Sequence, residues 1–186
     1  KFNIKKHMKN SILPIAIFVA TLISSLQLPA QEFRRLDKSP MDMATFPISY
    51  KISDKIVKVI YSRPQLKGRE LVKLAPPEKV WRTGANEAVE ITFYIDVVFG
   101  GKALKAGTYS LFTIPSIDGD WTVIINRARN VWGSYYYNQD QDVIRVSGKT
   151  TKTEENIEAF SMMFDENMTL KMGWGKTVIS VSIKKP

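Results

Sequence analysis

The sequence predicts an all-β protein, an antiparallel β-sandwich or flattened barrel of about nine strands. Apolar side chains occupy every second position from Val89 to Ile95, which is the pattern of a half-buried strand. Gly100-Gly101 and Asp118-Gly119 are two-residue hairpin signals between apolar runs. Only 154–159 offers a brief helical possibility.

The first strand ends at Arg63-Pro64, because proline cannot donate to a sheet ladder and holds the residue before it extended. Asp165-Glu166-Asn167 predicts a turn late in the chain, and Gly175-Lys176 predicts a further tight turn. Between these signals we predict strands over residues 56–62, 88–97, 108–114, 121–126, 142–148, 160–164, 168–174 and 177–183.

Three regions follow from this pattern. Residues 1–30 have the composition of a signal peptide, and residues 31–48 form a linker or irregular arm with two prolines and no sustained period. Residues 49–186 are expected to form one β-domain.

Lysines precede the apolar run 11–25, and the small residue Ala30 ends the segment. Roughly 15 apolar positions are short for a membrane span, which needs about 20. We expect cleavage near Ala30, a start at Met8, and a periplasmic or secreted product with no stable membrane span. A retained N-terminal anchor is the alternative. The absence of cysteine excludes lipoprotein processing and disulfides, and favours a bacterial protein.

The net charge of +9 is partly a property of the leader, which holds four lysines and no acidic residue. The rest of the chain has 23 basic and 18 acidic residues, a charge of +5, with no long basic run. This distribution does not predict a nucleic-acid partner.

The only histidine is His7, inside the expected leader. An exported product therefore lacks the residues of a Ser-His-Asp triad, of a cysteine nucleophile and of a histidine-bearing zinc site. Gly100-Gly101 leads into another strand rather than a helix, so it is not a phosphate-binding loop. We expect no metal and no cofactor.

Two clusters remain as candidate ligand-binding residues. The first combines guanidinium, indole, amide and carboxylate groups at strand ends, a donor set suited to an anionic ligand. The second is an aromatic loop whose exposed rings could stack on sugars or peptides. For both clusters the alternative is structural, with arginines tying loops together and aromatic rings in the core. The candidates are Arg63, Arg69, Trp81, Arg82, Asn86, Glu87, Trp132 and Tyr135; Arg127 and Arg129 flank the aromatic loop.

Carboxylate catalysis is a further possibility. Glu90 and Asp96 share a face if the strand is regular, but six residues separate them by about 20 Å. A glycosidase-type pair needs roughly 5–10 Å. Solvent-facing strand carboxylates are therefore the favoured interpretation, and no catalytic residue is assigned.

The chain resembles the bacterial exported-protein family catalogued as domain of unknown function 2911. The blocks that carry the resemblance occur in order from 40 to 183: YSRP with KGR, VWRTGANEA, GGK, AGTYSLFTIP, WTVI, WGSY and DVIRV. Val89 stands where the family usually has threonine, and the segment around 74–77 is shortened. The resemblance implies an exported all-β protein of the Bacteroidetes type and supplies little function. An asparagine-synthetase label used for some members finds no support in these residues.

The sequence thus favours an exported β-sandwich that binds a small or extended ligand, anionic or carbohydrate-like. A hydrolase or lyase that uses carboxylates is one alternative. A structural or assembly protein of the cell envelope is the other.

Overall fold

Alternation of apolar and polar residues produces the strands of this protein, whose computed structural model describes residues 33–186. In β3, for example, Val89, Ile91 and Phe93 are buried and the residues between them are half-buried. The strands are β1 (Met41–Phe46), β2 (Val57–Ser62), β3 (Val89–Phe93), β4 (Val97–Phe99), β5 (Lys102–Leu104), β6 (Gly107–Ile114), β7 (Trp121–Asn126), β8 (Asp142–Phe164) and β9 (Thr169–Lys184).

All nine strands belong to one antiparallel sheet in the order β1-β2-β3-β6-β7-β8-β9-β4-β5. The predicted all-β antiparallel class is confirmed, and the ends of this order, β1 and β5, show that the sheet is not a closed barrel. The segment after β2 turns back to the long strand β8: Leu66 N–H donates to the carbonyl of Glu158 at 3.0 Å, and Phe160 N–H to that of Pro64 at 2.9 Å.

The main core lies on one face of this sheet. At its centre the indole of Trp81 stacks on that of Trp174, with ring centroids 5.4 Å apart, and meets Trp121 and Phe160 edge-on. Burial of an aromatic side chain of this size contributes about 2–3 kcal/mol. No described residue is a cysteine, so packing of this kind holds the described domain together without disulfides.

Both predicted hairpins are confirmed. Phe99 pairs with Lys102 across Gly100-Gly101, where both glycines have positive φ as a type I′ turn requires. Ile114 pairs with Thr122 across the second hairpin.

The predicted strand 88–97 was wrong as a single element. β3 ends at Phe93, and β4 begins at Val97 on a different part of the sheet. The carboxylate of Asp96 holds the intervening bend, because it accepts from Lys105 Nζ at 2.7 Å and from the backbone N–H of Ala106 at 2.9 Å.

The helical possibility over 154–159 was also wrong, since β8 runs through it. The pairing with β9 is irregular between Lys152 and Ser161, and the bulged residues are mostly exposed, which removes the apolar alternation. The turn predicted at Gly175 is instead a point within β9, where Gly175 with φ 60° opposes Ile157 at that bulge.

Two short elements differ from expectation at the start of the domain. β1 (Met41–Phe46) lies in the segment predicted to be an irregular arm; prolines flank it, and much of it is exposed, so it shows little apolar period. A four-residue helix, α1 (Leu71–Leu74), had no sequence signal because it is shorter than the helical period requires. The expected signal peptide, residues 1–30, lies outside the described residues.

A smaller core covers the other face of the sheet. Ala88, Phe112 and Ile124 are buried there beneath Val131 and Tyr137. Two loops, residues 82–88 and residues 130–136, therefore rest on the outer face of the sheet rather than extending from its end.

Candidate functional site

The two loops on the outer face are joined by backbone hydrogen bonds. Ala88 N–H donates to the carbonyl of Val131 at 2.8 Å, and Gly133 N–H donates to that of Asn86 at 2.9 Å. Between these bonds Glu87 and Trp132 form an isolated antiparallel bridge. The structure thus brings together Arg82, Asn86, Glu87, Trp132 and Tyr135, which we call the aromatic-loop site.

Four residues of the two loops have positive backbone φ angles. Thr83, Asn86 and Asn130 have φ between 57° and 62°, and Gly133 has φ 68°. For a β-branched residue such as Thr83 this region is a genuine outlier. Asparagine and glycine tolerate this region, but for Thr83 the conformation costs about 1–3 kcal/mol and persists only where the surroundings enforce it. Strain of this kind clusters at ligand and active sites.

Thr83 shows how the surroundings enforce it. Its side chain is fully buried, and its hydroxyl lies 3.2 Å from Thr113 Oγ1 and 3.3 Å from the carbonyl of Trp81. Trp81 in turn exchanges two backbone hydrogen bonds with Thr113. The strained loop is therefore fixed to β6 before any ligand binds.

Arg82 has a hydrogen-bond donor that the described residues do not satisfy. Its Nε atom is buried and has no hydrogen-bond partner, the one buried side-chain nitrogen or oxygen of residues 33–186 in that state. A buried donor without a partner costs about 1–3 kcal/mol and calls for an explanation. A Cβ atom placed on Gly133 would lie 3.8 Å from Arg82 Nη1 and 2.8 Å from the ring of Tyr135, so both side chains border this glycine.

Exposed aromatic rings form the outer part of the site. The exposed fractions are 57% for Trp132, 78% for Tyr135 and 84% for the neighbouring Tyr136. The other three tryptophans, Trp81, Trp121 and Trp174, are at most 6% exposed. Trp132 is thus the one indole of the described chain that a ligand in solvent could contact over a large area.

A polar network anchors the aromatic loop from below. Tyr137 donates to Asp142 Oδ2 at 2.6 Å, and Arg145 contacts both of these side chains at 2.6 Å. The buried Asn126 donates to Asp142 Oδ1 at 2.7 Å and to the carbonyl of Asn138 at 3.0 Å. Burial, and next the bond to Asp142, raise the pKa of Tyr137 to about 12. The loop is therefore held in one conformation.

Sequence reasoning did not find this anchor, because its members come from three separate elements. The adjacent tyrosines gave only the signal that some rings face inward. Tyr137 is the one that does, packing edge-on against Phe112 with centroids 5.2 Å apart.

Asn86 has a second neighbour in the segment before β1. The backbone N–H of Ser39, and to a smaller extent the side-chain amide of Asn86, lower the pKa of Asp37 below its ordinary value. Asp37 is therefore a further carboxylate at the border of the aromatic-loop site.

Arg63 is directed away from this site. Its guanidinium donates to the carbonyl of Phe160 at 3.2 Å and to Ser161 Oγ at 2.7 Å, both on β8, and pairs with Asp42 at 3.1 Å. The structure therefore places Arg63 in the structural role that the sequence left open, tying the end of β2 to β8 and β1.

Arg69 and Trp81 are also separate from the site. Arg69 donates to the carbonyls of Leu66 and Gln65 at 2.9 and 2.7 Å, closing its own turn. Trp81 lies in the main core. Arg63, Arg69 and Arg82 therefore do not converge on one site, and Trp132 rather than Trp81 provides an exposed indole.

A groove on the outer face of β2, β3 and β6 adjoins the aromatic-loop site. Its inner part is a cavity of about 210 Å³ bordered by Ile60, Ser62, Glu87, Glu90 and Val131, among others. Its outer part is a wider recess of about 610 Å³ lined by Glu90, Thr108, Arg127, Arg129 and Asn130. Glu90 and Asn130 border both parts, so the cavity and the recess adjoin at these two residues.

Another cleft, of about 410 Å³, lies at the opposite end of β7, between α1, the β6–β7 turn and Trp121. Most of its polar rim is occupied: Asp120 accepts from Ser147 Oγ and from Thr150 N–H at 2.9 and 2.8 Å. Its lining does not include Arg82, which has the one buried unpartnered side-chain donor of residues 33–186. We therefore do not take this cleft as the site.

Within residues 33–186 the structure contains no group of three or more histidine, cysteine, aspartate or glutamate side chains that could hold a metal ion. In the same range no helix is long and apolar enough to cross a membrane.

Searches of curated proteins and of solved structures found no match to this chain. The profile of one family, described as protein of unknown function (DUF2911), matches residues 39–183. The match includes β1 to β8, all of β9 except Lys184, and both loops of the aromatic-loop site. The chain therefore belongs to the domain of unknown function 2911 family.

Proposed function

We propose that this protein binds a carbohydrate-like ligand at the aromatic-loop site. The observation that carries the proposal is that the exposed rings of Trp132 and Tyr135 lie beside Arg82, whose guanidinium has no hydrogen-bond partner among residues 33–186, on loops that include the strained Thr83. Sugars have both apolar ring faces and hydroxyl groups, so a site that offers an indole beside amide and guanidinium donors suits them.

The rigid anchoring of both loops supports binding rather than a purely structural role. A preorganised site loses less conformational entropy when a ligand binds, which raises affinity. The strained backbone of Thr83 and the exposed rings of Trp132 and Tyr135 both lower the free energy of unfolding, so stability alone does not explain them.

The proposal includes export to the periplasm or the cell surface. It rests on the sequence of residues 8–30, with its lysines, apolar run and terminal Ala30. Fractionation of the native host, with mass spectrometry of the mature amino terminus, tests it. A product that begins near Gln31 supports export, and an intact leader on a cytosolic species contradicts it.

The binding proposal is tested with a panel of neutral and acidic oligosaccharides, using thermal shift followed by isothermal titration calorimetry. We expect Trp132→Ala to weaken the binding of any ligand found for the wild-type protein at least tenfold, which is about 1.4 kcal/mol. Tyr50→Ala is the matched control, because Tyr50 is 89% exposed and lies far along the chain from both loops. Equal binding by both variants would contradict the site.

A carboxylate-based hydrolase is a second candidate, favoured by one observation. Glu87 and Glu90 border the same 210 Å³ cavity, whereas Asp96 is engaged by Lys105 and Ala106. Incubation of the bound oligosaccharides with wild-type protein and with Glu90→Gln tests it. Cleavage that Glu90→Gln abolishes supports the hydrolase, and intact oligosaccharides after prolonged incubation exclude it for these substrates.

A further inference from the structure

We infer that the ligand is an acidic saccharide, and that Arg127 and Arg129 in the adjoining groove bind its anionic group. This inference rests on the proposed function and adds the chemical class of the ligand. It starts from the guanidinium groups that the fold does not use.

Besides Arg82, the arginines from Arg63 onward differ in whether the protein uses their donors. Arg63, Arg69 and Arg145 each donate to carbonyl, hydroxyl or carboxylate oxygens of the protein. Among residues 33–186, neither Arg127 nor Arg129 has a side-chain hydrogen bond or an ion pair, although both line the outer groove. Their forked donors are thus free for an anion that presents two oxygens, such as a carboxylate or a sulfate.

The two arginines are brought to the same recess by the segment that follows β7. They lie two residues apart in this segment, both are exposed, and both line the recess. Ser110 Oγ donates to the carbonyl of Ala128, between them, at 2.8 Å, and Ala128 N–H donates to Asn126 Oδ1 at 2.9 Å. The segment is therefore pinned to the sheet, and the pair is presented in one orientation.

The charge of the recess favours an anion. Its lining holds two arginines and one carboxylate, that of Glu90, and the remaining members Thr108 and Asn130 are neutral. Glu90 stands where the recess meets the inner cavity, on the side of the aromatic-loop site. A ligand in the groove can thus donate hydrogen bonds from its hydroxyl groups to the carboxylate of Glu90. Its anionic group can accept hydrogen bonds from Arg127 and Arg129.

The two parts of the site are close along the chain. Arg129 and Trp132 are three residues apart, so their Cα atoms are separated by at most about 10 Å. An oligosaccharide with a charged unit beside an uncharged one that stacks on the indole has a size suited to both parts.

The test compares acidic oligosaccharides with neutral counterparts of the same rings: oligogalacturonate with its carboxyl-reduced form, and dextran sulfate with dextran. Calorimetry is done on wild-type protein, on the double variant Arg127→Gln/Arg129→Gln and on Lys176→Gln/Lys185→Gln, which removes the same charge from exposed lysines outside the groove. Preference for oligogalacturonate identifies a carboxylate ligand, and preference for dextran sulfate a sulfated one.

We expect the arginine double variant to weaken binding of the preferred acidic sugar at least tenfold and to change its neutral counterpart less than twofold. The lysine double variant should leave both within twofold, and Glu90→Gln should strengthen acidic binding because it removes the one negative charge of the recess. Equal binding of acidic and neutral forms, insensitive to the arginines but lost with Trp132→Ala, overturns this inference and leaves the proposed function standing. Binding of neither form, or binding that survives Trp132→Ala, contradicts the proposed function itself.

Discussion

The backbone N–H of Gly133 donates to the carbonyl oxygen of Asn86 at 2.9 Å, and both residues have positive φ. This bond joins two loops whose sequences are more than forty residues apart. It places an exposed indole, a phenol and a guanidinium side by side on a surface that neither loop could form alone.

Arg82→Ala is expected to preserve the fold and remove ligand binding. Arg82 Nε makes no hydrogen bond in the protein, so its loss breaks none and relieves a buried unsatisfied donor. The unfolding midpoint in urea should stay within about 0.5 kcal/mol of the wild type, while the ligand-induced thermal shift disappears. If Arg82→Ala unfolds the protein outright, the guanidinium is architectural and the site is misassigned.

Arg63→Ala is expected to do the opposite. Arg63 makes three contacts with β8 and Asp42, and its side chain is 36% exposed, so we expect a loss of about 1–2 kcal/mol in the free energy of unfolding. Ligand affinity measured on the folded variant should be unchanged. A loss of ligand affinity with unchanged stability would show that Arg63 is part of the binding site.

The contrast between these arginines shows the limit of the sequence. Arg63 and Arg82 are the same residue type at neighbouring strand ends, and only their surroundings separate them. The acceptors of Arg63, at Phe160 and Ser161, are nearly one hundred residues away along the chain. No local pattern reports such a partner. Local turn signals, in contrast, predicted the bounds of β7 and both glycine hairpins, because the residues of a turn are neighbours in the sequence.

Gly133→Ala and Gly68→Ala form a matched pair. Both glycines have φ near 70°, so each substitution carries the left-handed cost of about 1–2 kcal/mol. A Cβ on Gly68 meets nothing within 4 Å, whereas one on Gly133 meets the Tyr135 ring at 2.8 Å. We expect both variants to lose stability in urea unfolding, and Gly133→Ala alone to lose ligand affinity. Similar affinities for the two would show that the position of Tyr135 is unimportant.

Alkaline titration should reveal the anchor beneath the aromatic loop. Burial raises the pKa of Tyr137 to about 12, and burial likewise raises that of Tyr61. Because these folded-state pKa values lie above the unfolded value near 10, the associated stability is complete below about pH 10 and is lost as the pH rises toward 12. Near-ultraviolet absorbance should show a phase of tyrosine ionisation that continues above pH 10 and belongs to Tyr61 and Tyr137.

Tyr137→Phe is the control for that titration. It should remove one late-ionising group and flatten the loss of stability above pH 10, while Asp142 and Arg145 keep their own contact. Simultaneous ionisation of all tyrosines in the wild-type protein would contradict the anchor.

The indole N–H resonances of the four tryptophans provide the most direct test of the binding site. Three indoles lie in the core and one, that of Trp132, lies in the aromatic-loop site. On titration with the oligosaccharide that binds best, we predict that the Trp132 resonance shifts in a saturable manner while those of Trp81, Trp121 and Trp174 stay within a small fraction of that change. A saturable shift led by Trp121, at the opposite cleft, with Trp132 unmoved would contradict the account.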